Sequence, residues 1–388
     1  MLVGIVFLAT FVWLARERAL RGQNDFAAFY AGGRLAGTPD LYSRPANTAL
    51  VAKVTGVTMP AVVFIRPPFY AALLSPLSAL PYRLAYAVFS LIGLASAVWF
   101  VVRFSGECPS LPFFAAMSIP VVDALCDGQD TPLLLLFLGT AMLLARRKRD
   151  FLAGVVLSLC AIKFHLFVML PVALLLQRRW RMLAGGGIGI ALLTALGAIV
   201  SGPGALLDWI RLLRDPSIGF AAAVMPNLHG LVAAVHADPR LEIVLAAAVL
   251  GAFLWTVSRA ESFDVLLAVS IVCGLLVNFH SGISDDVLLL VVFVAVTANY
   301  ASAQDAAAST MNAGNRTPAG FVVRGFRGGA PMRSLIALLL TPIPWFMVLA
   351  GSPYNAVVPA ALLLLMGFFC VLRPGAAPAY ALRSENAH

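Results

Sequence analysis

Charge is what this chain has least of. Asp, Glu, Lys and Arg make up 12% of its 388 residues against 61% hydrophobic ones, with a mean hydropathy of +0.91, whereas a soluble domain is about a quarter charged. That scarcity excludes a soluble globular protein and makes the chain an integral membrane protein. Acidic residues are the scarcer sign, 18 against 27 Lys and Arg, for a net charge of +9. The excess does not point to nucleic acid, because the basic residues fall in short clusters between apolar runs, such as "RRKR" (146–149) and "QRRWR" (177–181). Basic turns of this kind mark cytoplasmic loops. Cysteine is sparse and scattered: Cys108, Cys126, Cys160, Cys273 and Cys370 form no C-x-x-C pair, which excludes a disulfide framework and supplies no metal site. A nucleotide loop is missing too. "AGGGIGIALLTALGAIV" (184–200) follows no strand and reads as the small-residue packing face of a span. No cofactor is expected.

What is present is a series of apolar runs, predicting an all-α, multi-pass bundle with a single polytopic domain over 1–388. About twelve spans are expected, near 2–15, 83–102, 111–122, 132–145, 151–162, 166–176, 182–200, 241–257, 263–278, 287–300, 334–350 and 356–372. The first is read as a retained span, because no basic n-region precedes it and no small-residue cleavage site follows. With the N-terminus in the cytoplasm, the internal basic clusters fall on the cytoplasmic side, together with a flexible loop at 301–333. Arg16, Arg18 and Arg21 stand against this orientation at the opening. Residues 151–176 are too few for two full crossings at about 1.5 Å per residue. They are expected to form two short helices that meet near the outer face, with Lys163 and His165 at the apex. A cation among apolar helices is costly and points to a function lining a cavity; the alternative is a lysine snorkelling to the headgroups. The remaining polar stretches, "VVDALCDGQDTP" (121–132), "DWIRLLRDPSIGFAAAVMPNLHG" (208–230) and "VNFHSGISDDVLLL" (277–290), converge on the same outer face.

An outer first loop is expected at 16–82. It carries "NDFAAFYAGGRLAGTPDLYSR" (24–44) and "RPPFYAALLSPLSALPY" (66–82), the latter too short between its prolines to cross and so read as a helix lying at the interface, with proline in its first turn. Asp25 is a carboxylate in an otherwise apolar and glycine-rich setting. Its capping reading is an N-cap for the helix that "FAAFYAGGRL" begins.

Taken in order, "NDFAAFYAGGRL…DLY", "RPPFYAALLSPLSALP", "GQDTPLLLL", "RRKRDFLAGVVLSLCAIK", "RRW", "PNLHGL" and "H…DDVLLL" resemble glycosyltransferase family 87, over roughly residues 24 to 300. The resemblance implies a GT-C-type membrane fold and a polyprenol-phosphate-mannose-dependent mannosyltransferase acting at the outer face. Asp25 matches the family's catalytic acidic residue in the first outer loop. The chain departs from the pattern where Arg66 precedes the proline pair, where Phe164 and His165 follow the apex lysine, and where Asp285 and Asp286 compete for the position after His280.

The chemistry implied is compact. Moving a sugar from a polyprenyl phosphate to a hydroxyl needs one base for the acceptor proton and cations for the growing phosphate charge. No second carboxylate is required, because a phosphodiester leaves without being protonated. Asp25 is the expected base. Lys163, Arg66, His165 and His280 are the expected donor-phosphate ligands, and Gln129, Asn227, His229 and Asp286 the expected substrate contacts, with no metal. The expected acceptor is a hydroxyl of a glycolipid or polysaccharide, with a protein left open, and the enzyme is expected in the inner (plasma) membrane with its site facing the periplasm or cell exterior, with membrane lipids and a lipid or glycan acceptor as partners and no nucleic acid. A transporter or lipid-linked glycan flippase is the alternative, though the polar groups gather at one face and not at the midplane, and no internal repeat is seen.

Overall fold

The computed structural model describes Thr10, Trp13 and residues 23–57, 62–215, 222, 225–299 and 329–371. Among them there is helix and no strand. The expected first span at 2–15, apart from Thr10 and Trp13, and the loop 301–333 up to residue 328 lie outside the described residues. The first loop folds into three helices, α1 (Phe26–Leu35), α2 (Arg44–Thr55) and α3 (Pro68–Ser78). Helix α2 starts where the Ser43 hydroxyl accepts from Ala46 N at 3.4 Å and stops at Gly56, whose φ of 73° closes it. Helix α3 begins at the proline pair, since a fixed φ and a missing N–H cost nothing in a first turn.

A long helix α4 (Tyr82–Phe104) is followed by short α5 (Leu111–Met117) and α6 (Ile119–Cys126), then α7 (Thr131–Arg146). Helices α6 and α7 meet at 119°. Between the basic turns the chain forms α8 (Asp150–Ser158), a 3-10 segment Leu159–Leu166 and α9 (Met169–Leu176). Lys163, with φ −122° and ψ 54°, stands at the turn between them. Then come α10 (Trp180–Ser201), α11 (Ala205–Leu213), α12 (Leu228–Ala234), α13 (Arg240–Val257) and α14 (Phe263–Val277). A second 3-10 segment, Ile283–Leu288, leads into helix α15 (289–299), and the chain closes with α16 (Gly329–Leu339), α17 (Pro342–Ala350) and α18 (Val357–Val371).

Among the described residues four helices are long and apolar enough to cross a membrane, or up to six if each bent pair is one span. Of the apolar runs, 111–122 folds as two short helices, and 151–176 forms the two short helices expected, meeting at the Lys163 turn. Direction along the bundle is set by α7 and α8. The basic turns 146–149 and 177–181 lie at one end, and the bend before α7, the Lys163 turn and the segment 278–288 lie at the other.

Glycines let α8 and α10 touch along their backbones. A side chain on Gly154 would collide with the Met182 carbonyl, one on Gly185 with the Phe151 carbonyl, and one on Gly189 with Ser158. Farther along, Gly197 packs against Pro68 and the Phe69 backbone, so α10 also seats α3. The 184–200 stretch is therefore a helix-packing face, as its small residues lead one to expect. Gly185→Val should lower stability by about 1–3 kcal/mol or prevent folding, the cost of overpacking, whereas Gly187→Ala, which meets nothing within 4 Å, should leave the unfolding temperature of the detergent-purified protein unchanged or slightly raised, alanine being the better helix former.

Candidate active site

Asp25 does not cap α1. That work is done by its neighbour Asn24, whose Oδ1 accepts from Ala27 N at 3.2 Å and from the Tyr82 hydroxyl at 2.9 Å. The Asp25 carboxylate is thus relieved of a structural duty, and its Oδ2 accepts from Gln129 Nε2. The two meet because the chain at 24–26 docks on the bend before α7: Phe26 N donates to Asp127 O at 3.2 Å, and the Phe26 ring is fully buried among Tyr30, Tyr82, Tyr86 and Phe89. Gly128 makes that docking possible. Its φ of 61° is strained for any other residue, and a Cβ would run into Phe26 and Tyr86.

Next to this contact lies a buried cluster of charge. Arg66 is held from both sides, the Tyr42 hydroxyl donating to its carbonyl at 3.0 Å and Trp209 Nε1 donating to Ile65 O at 3.0 Å. Its guanidinium forms a two-pronged pair with Asp130, Nε to Oδ2 at 2.7 Å and Nη2 to Oδ1 at 3.1 Å, the fork geometry for which arginine is suited. Lys163 Nζ donates to Gln129 Oε1 at 3.1 Å, Thr131 Oγ1 at 2.8 Å and Asp285 Oδ1 at 2.5 Å, and lies 3.3 Å from Asp130 Oδ1. An ammonium has three protons to give, and all three are engaged. The lysine is 3% exposed: it does not snorkel but ends on carboxylates. Burial pushes Asp25 above the ordinary carboxylate range, against the opposing pull of Arg66 and Lys163.

The other expected residues divide. His165 and His280 lie ring to ring with centroids 6.2 Å apart, within electrostatic reach of Asp285, Arg66 and Lys163. His165 Nε2 is buried and has no partner among the described residues. Burial lowers His280 to about 4, so it is a neutral imidazole near pH 7 and offers a hydrogen bond but no positive charge. Asn227 is occupied structurally: its Oδ1 accepts from Gly230 N at 2.9 Å, capping α12, and its Nδ2 donates to Asn278 O and Oδ1 at 3.0 and 3.2 Å. His229, half exposed, pairs with Glu242 at 2.8 Å and not with the cluster. Of the two adjacent aspartates it is Asp285 that reaches Lys163, with Oδ2 also accepting from Gly282 N at 3.0 Å. Asp286 is fully buried and neither of its oxygens has a hydrogen-bond partner among the described residues. Asp130 and Thr131 are the cluster members that sequence reasoning did not single out, and of the two competing aspartates it favoured Asp286 over Asp285 as the substrate contact. The signal available was three consecutive polar residues, 129–131, opening an apolar helix.

Beside the cluster opens a cleft of about 370 Å³ with no charged side chain in its wall. Pro67, Phe69, Phe164, Thr194, Gly197 and Trp209 line it. Two of these follow the site cations directly in sequence, Pro67 after Arg66 and Phe164 after Lys163, so the apolar cleft and the buried ionic cluster are built from consecutive residues.

Four to six apolar helices long enough to cross a membrane among the described residues, with a buried ionic cluster at one end, define a helical membrane protein. The sequence profile of glycosyltransferase family 87 matches residues 64–282, more than half of the chain, and the protein belongs to that family. The match takes in Arg66, Gln129, Asp130, Lys163 and His280, and begins after Asp25. No curated protein and no solved structure matches the chain.

Removing one partner of the buried cluster has a sharp expected outcome. Lys163→Met leaves Asp285 and Asp130 short of a counter-charge and should cost about 3–5 kcal/mol. Adding Asp285→Asn should restore part of that loss, so the double variant is more stable than the sum of the single changes allows, as read from unfolding midpoints in detergent.

Proposed function

We propose that this membrane glycosyltransferase moves a hexose, mannose in the first instance, from a polyprenyl-phosphate sugar to a hydroxyl on a glycolipid or polysaccharide. The single observation that carries this reading is that the apolar cleft and the ionic cluster are formed by consecutive residues, 66–67 and 163–164. A donor of this class is a long apolar chain joined through a phosphodiester to a sugar, and it needs those two environments side by side. In the proposed pose the chain lies along Phe69, Phe164 and Trp209. The phosphate meets Arg66, whose Nη1 makes no hydrogen bond among the described residues, together with His165 Nε2 and His280 as neutral donors. Lys163, its protons engaged, acts on the phosphate through its field and not by contact.

The step itself follows from the atoms. Asp25 accepts the proton of the acceptor hydroxyl as that oxygen bonds to C1 of the sugar. The C1–O bond to phosphate breaks, its electron pair leaving on the polyprenyl phosphate, where the nearby cations offset the added charge. Burial of Asp25 suits it to this task, because a carboxylate raised above its usual range is a stronger base.

Asp25→Asn should reduce transfer by at least about 100-fold while leaving folding intact, since the side chain keeps its size and Asn24 still caps the helix. The assay presents purified enzyme with a panel of polyprenyl-phosphate sugars, mannose included, and an alkyl glycoside acceptor. Turnover within about tenfold of the parent would move the base elsewhere.

The reading also places the cluster at the periplasmic face of the inner membrane. Asp40, exposed on the turn after α1, reports on this: in intact cells an Asp40→Cys variant should react with a membrane-impermeant thiol reagent beyond the level of the parent. Reaction only after the inner membrane is opened would put the first loop in the cytoplasm.

A further inference from the structure

We infer that Gln129 is a positioning residue that aims the Asp25 carboxylate, through a bridge that runs from Asp285 and Lys163 across its amide to Asp25 Oδ2. The inference rests on the reading of Asp25 as the base. It replaces the expectation that Gln129 contacts substrate, because both ends of the amide already serve the protein: Oε1 accepts from Lys163 Nζ at 3.1 Å, and Nε2 donates to Asp25 Oδ2.

The two neighbours fix which way the amide points. An ammonium only donates and an ionised carboxylate only accepts, so oxygen must face Lys163 and nitrogen must face Asp25. Among unbranched aliphatic side chains of this reach, only glutamine offers an acceptor to one partner and a donor to the other. Glutamate would satisfy Lys163 and repel Asp25. Methionine, of similar length, would leave Lys163 short of one partner and Asp25 Oδ2 without a donor. The backbone around Gln129 is equally constrained, its N–H donating to Ala124 O at 2.8 Å just after the left-handed Gly128.

With Oδ2 held by Gln129, the other oxygen of Asp25 is the one left to take the acceptor proton. The charged groups acting on Asp25 are Arg66 and Lys163, which favour its ionised form, and Asp130 and Asp285, which oppose it. Gln129 adds a donor whose N–H is sharpened by Lys163 at the far end of the amide, because hydrogen bonds in series polarise one another. Its removal shifts Asp25 towards the protonated form, and a carboxylate at position 129 shifts it further.

The test needs no knowledge of the natural acceptor. Dicyclohexylcarbodiimide modifies protonated carboxyl groups in apolar surroundings, and mass spectrometry of the peptide containing Asp25 gives the pH at which modification is half-maximal. Gln129→Met and Gln129→Glu should raise that midpoint by at least one pH unit relative to the parent, with the larger shift for glutamate. Gln129→Asn, too short to bridge, should behave like methionine. An unchanged midpoint in Gln129→Met that folds with parental yield would overturn the inference, as would absence of Asp25 modification in Gln129→Met across the accessible pH range. If one variant does not fold, the other two carry the measurement. A second arm separates this inference from the reading it rests on, using polyprenyl-phosphate mannose as donor. If Asp25→Asn is inactive and Gln129→Met loses at least tenfold in kcat with donor KM within threefold, both stand. If Asp25→Asn is inactive but Gln129→Met instead raises KM with kcat and midpoint unchanged, Gln129 contacts substrate and the inference fails alone. If Asp25→Asn retains turnover, the base reading itself fails, whatever the midpoints show.

Discussion

One buried ammonium organises this end of the molecule. Lys163 sits where two short helices turn, and its three protons reach the bend before α7, the first turn of α7 and the 3-10 segment that leads into α15. An unpaired cation in such surroundings would cost several kcal/mol, and one with two carboxylates and two neutral acceptors around it is compensated only if every partner is in place. The turn at 163, the docking of α1 on the 127–129 bend and the start of the 283–288 segment are therefore not independent features. Each supplies a ligand that the others need.

Helix α7 carries that constraint to the far end of the bundle. Its N-terminus is held by Asp130, paired with Arg66 and Lys163, and its last turn by Arg146, which bonds Glu107 at 2.8 Å and Asp264 at 2.6 and 2.9 Å. A carboxylate before the first turn and a guanidinium in the last both favour the helix dipole. The Arg146 cluster fastens α7 to α14 and to the loop after α4 among the basic turns, with the guanidinium over the Phe104 ring at 5.4 Å. A helix pinned by ion pairs at both ends, buried at one and partly buried at the other, has little freedom to slide, so Gln129 and Thr131 keep their register with Lys163.

Some of this was legible in the sequence and some was not, and the difference is physical. The position of Lys163 at a turn followed from arithmetic, because the distance between two basic clusters is too short for two crossings. The packing face of α10 followed from glycines at helical spacing. What a single sequence does not carry is pairing at long range. Asp130 stands one residue from Gln129 but its partner Arg66 is 64 positions away, and Asp285 is 122 positions from Lys163. Asp285 and Asp286 are neighbours of the same type, and only the 3-10 geometry decides which of them faces the lysine. Asn227 and His229 were both candidates for a substrate, and the contacts they make within the fold were not legible: one caps α12 and binds the 278 backbone, the other pairs with Glu242. Hydropathy registered the gaps at 127–130 and around Lys163, but not the break at 117–118 inside the run 111–122.

The charge of the cluster bears on how such a site would tolerate its own chemistry. Arg66 and Lys163 stand against Asp25, Asp130 and Asp285, two cations to three carboxylates, so with all ionised the site carries one net negative charge before any phosphodiester arrives. That would disfavour an anionic donor if the carboxylates were free, but Asp130 and Asp285 are each bonded to a cation, and their charge is largely met within the cluster. Asp25 alone holds its position through a neutral amide. On the proposed reading, transfer places a proton on Asp25 as a second negative charge appears on the departing phosphate, so the total charge of site and ligands is the same before and after. In a low-dielectric setting a step that only moves charge over a few ångströms costs far less than one that creates it. A neutral Gln129 between Lys163 and the base serves that balance: a second cation there would hold Asp25 ionised too firmly to accept the proton, and an anion would keep it protonated from the start.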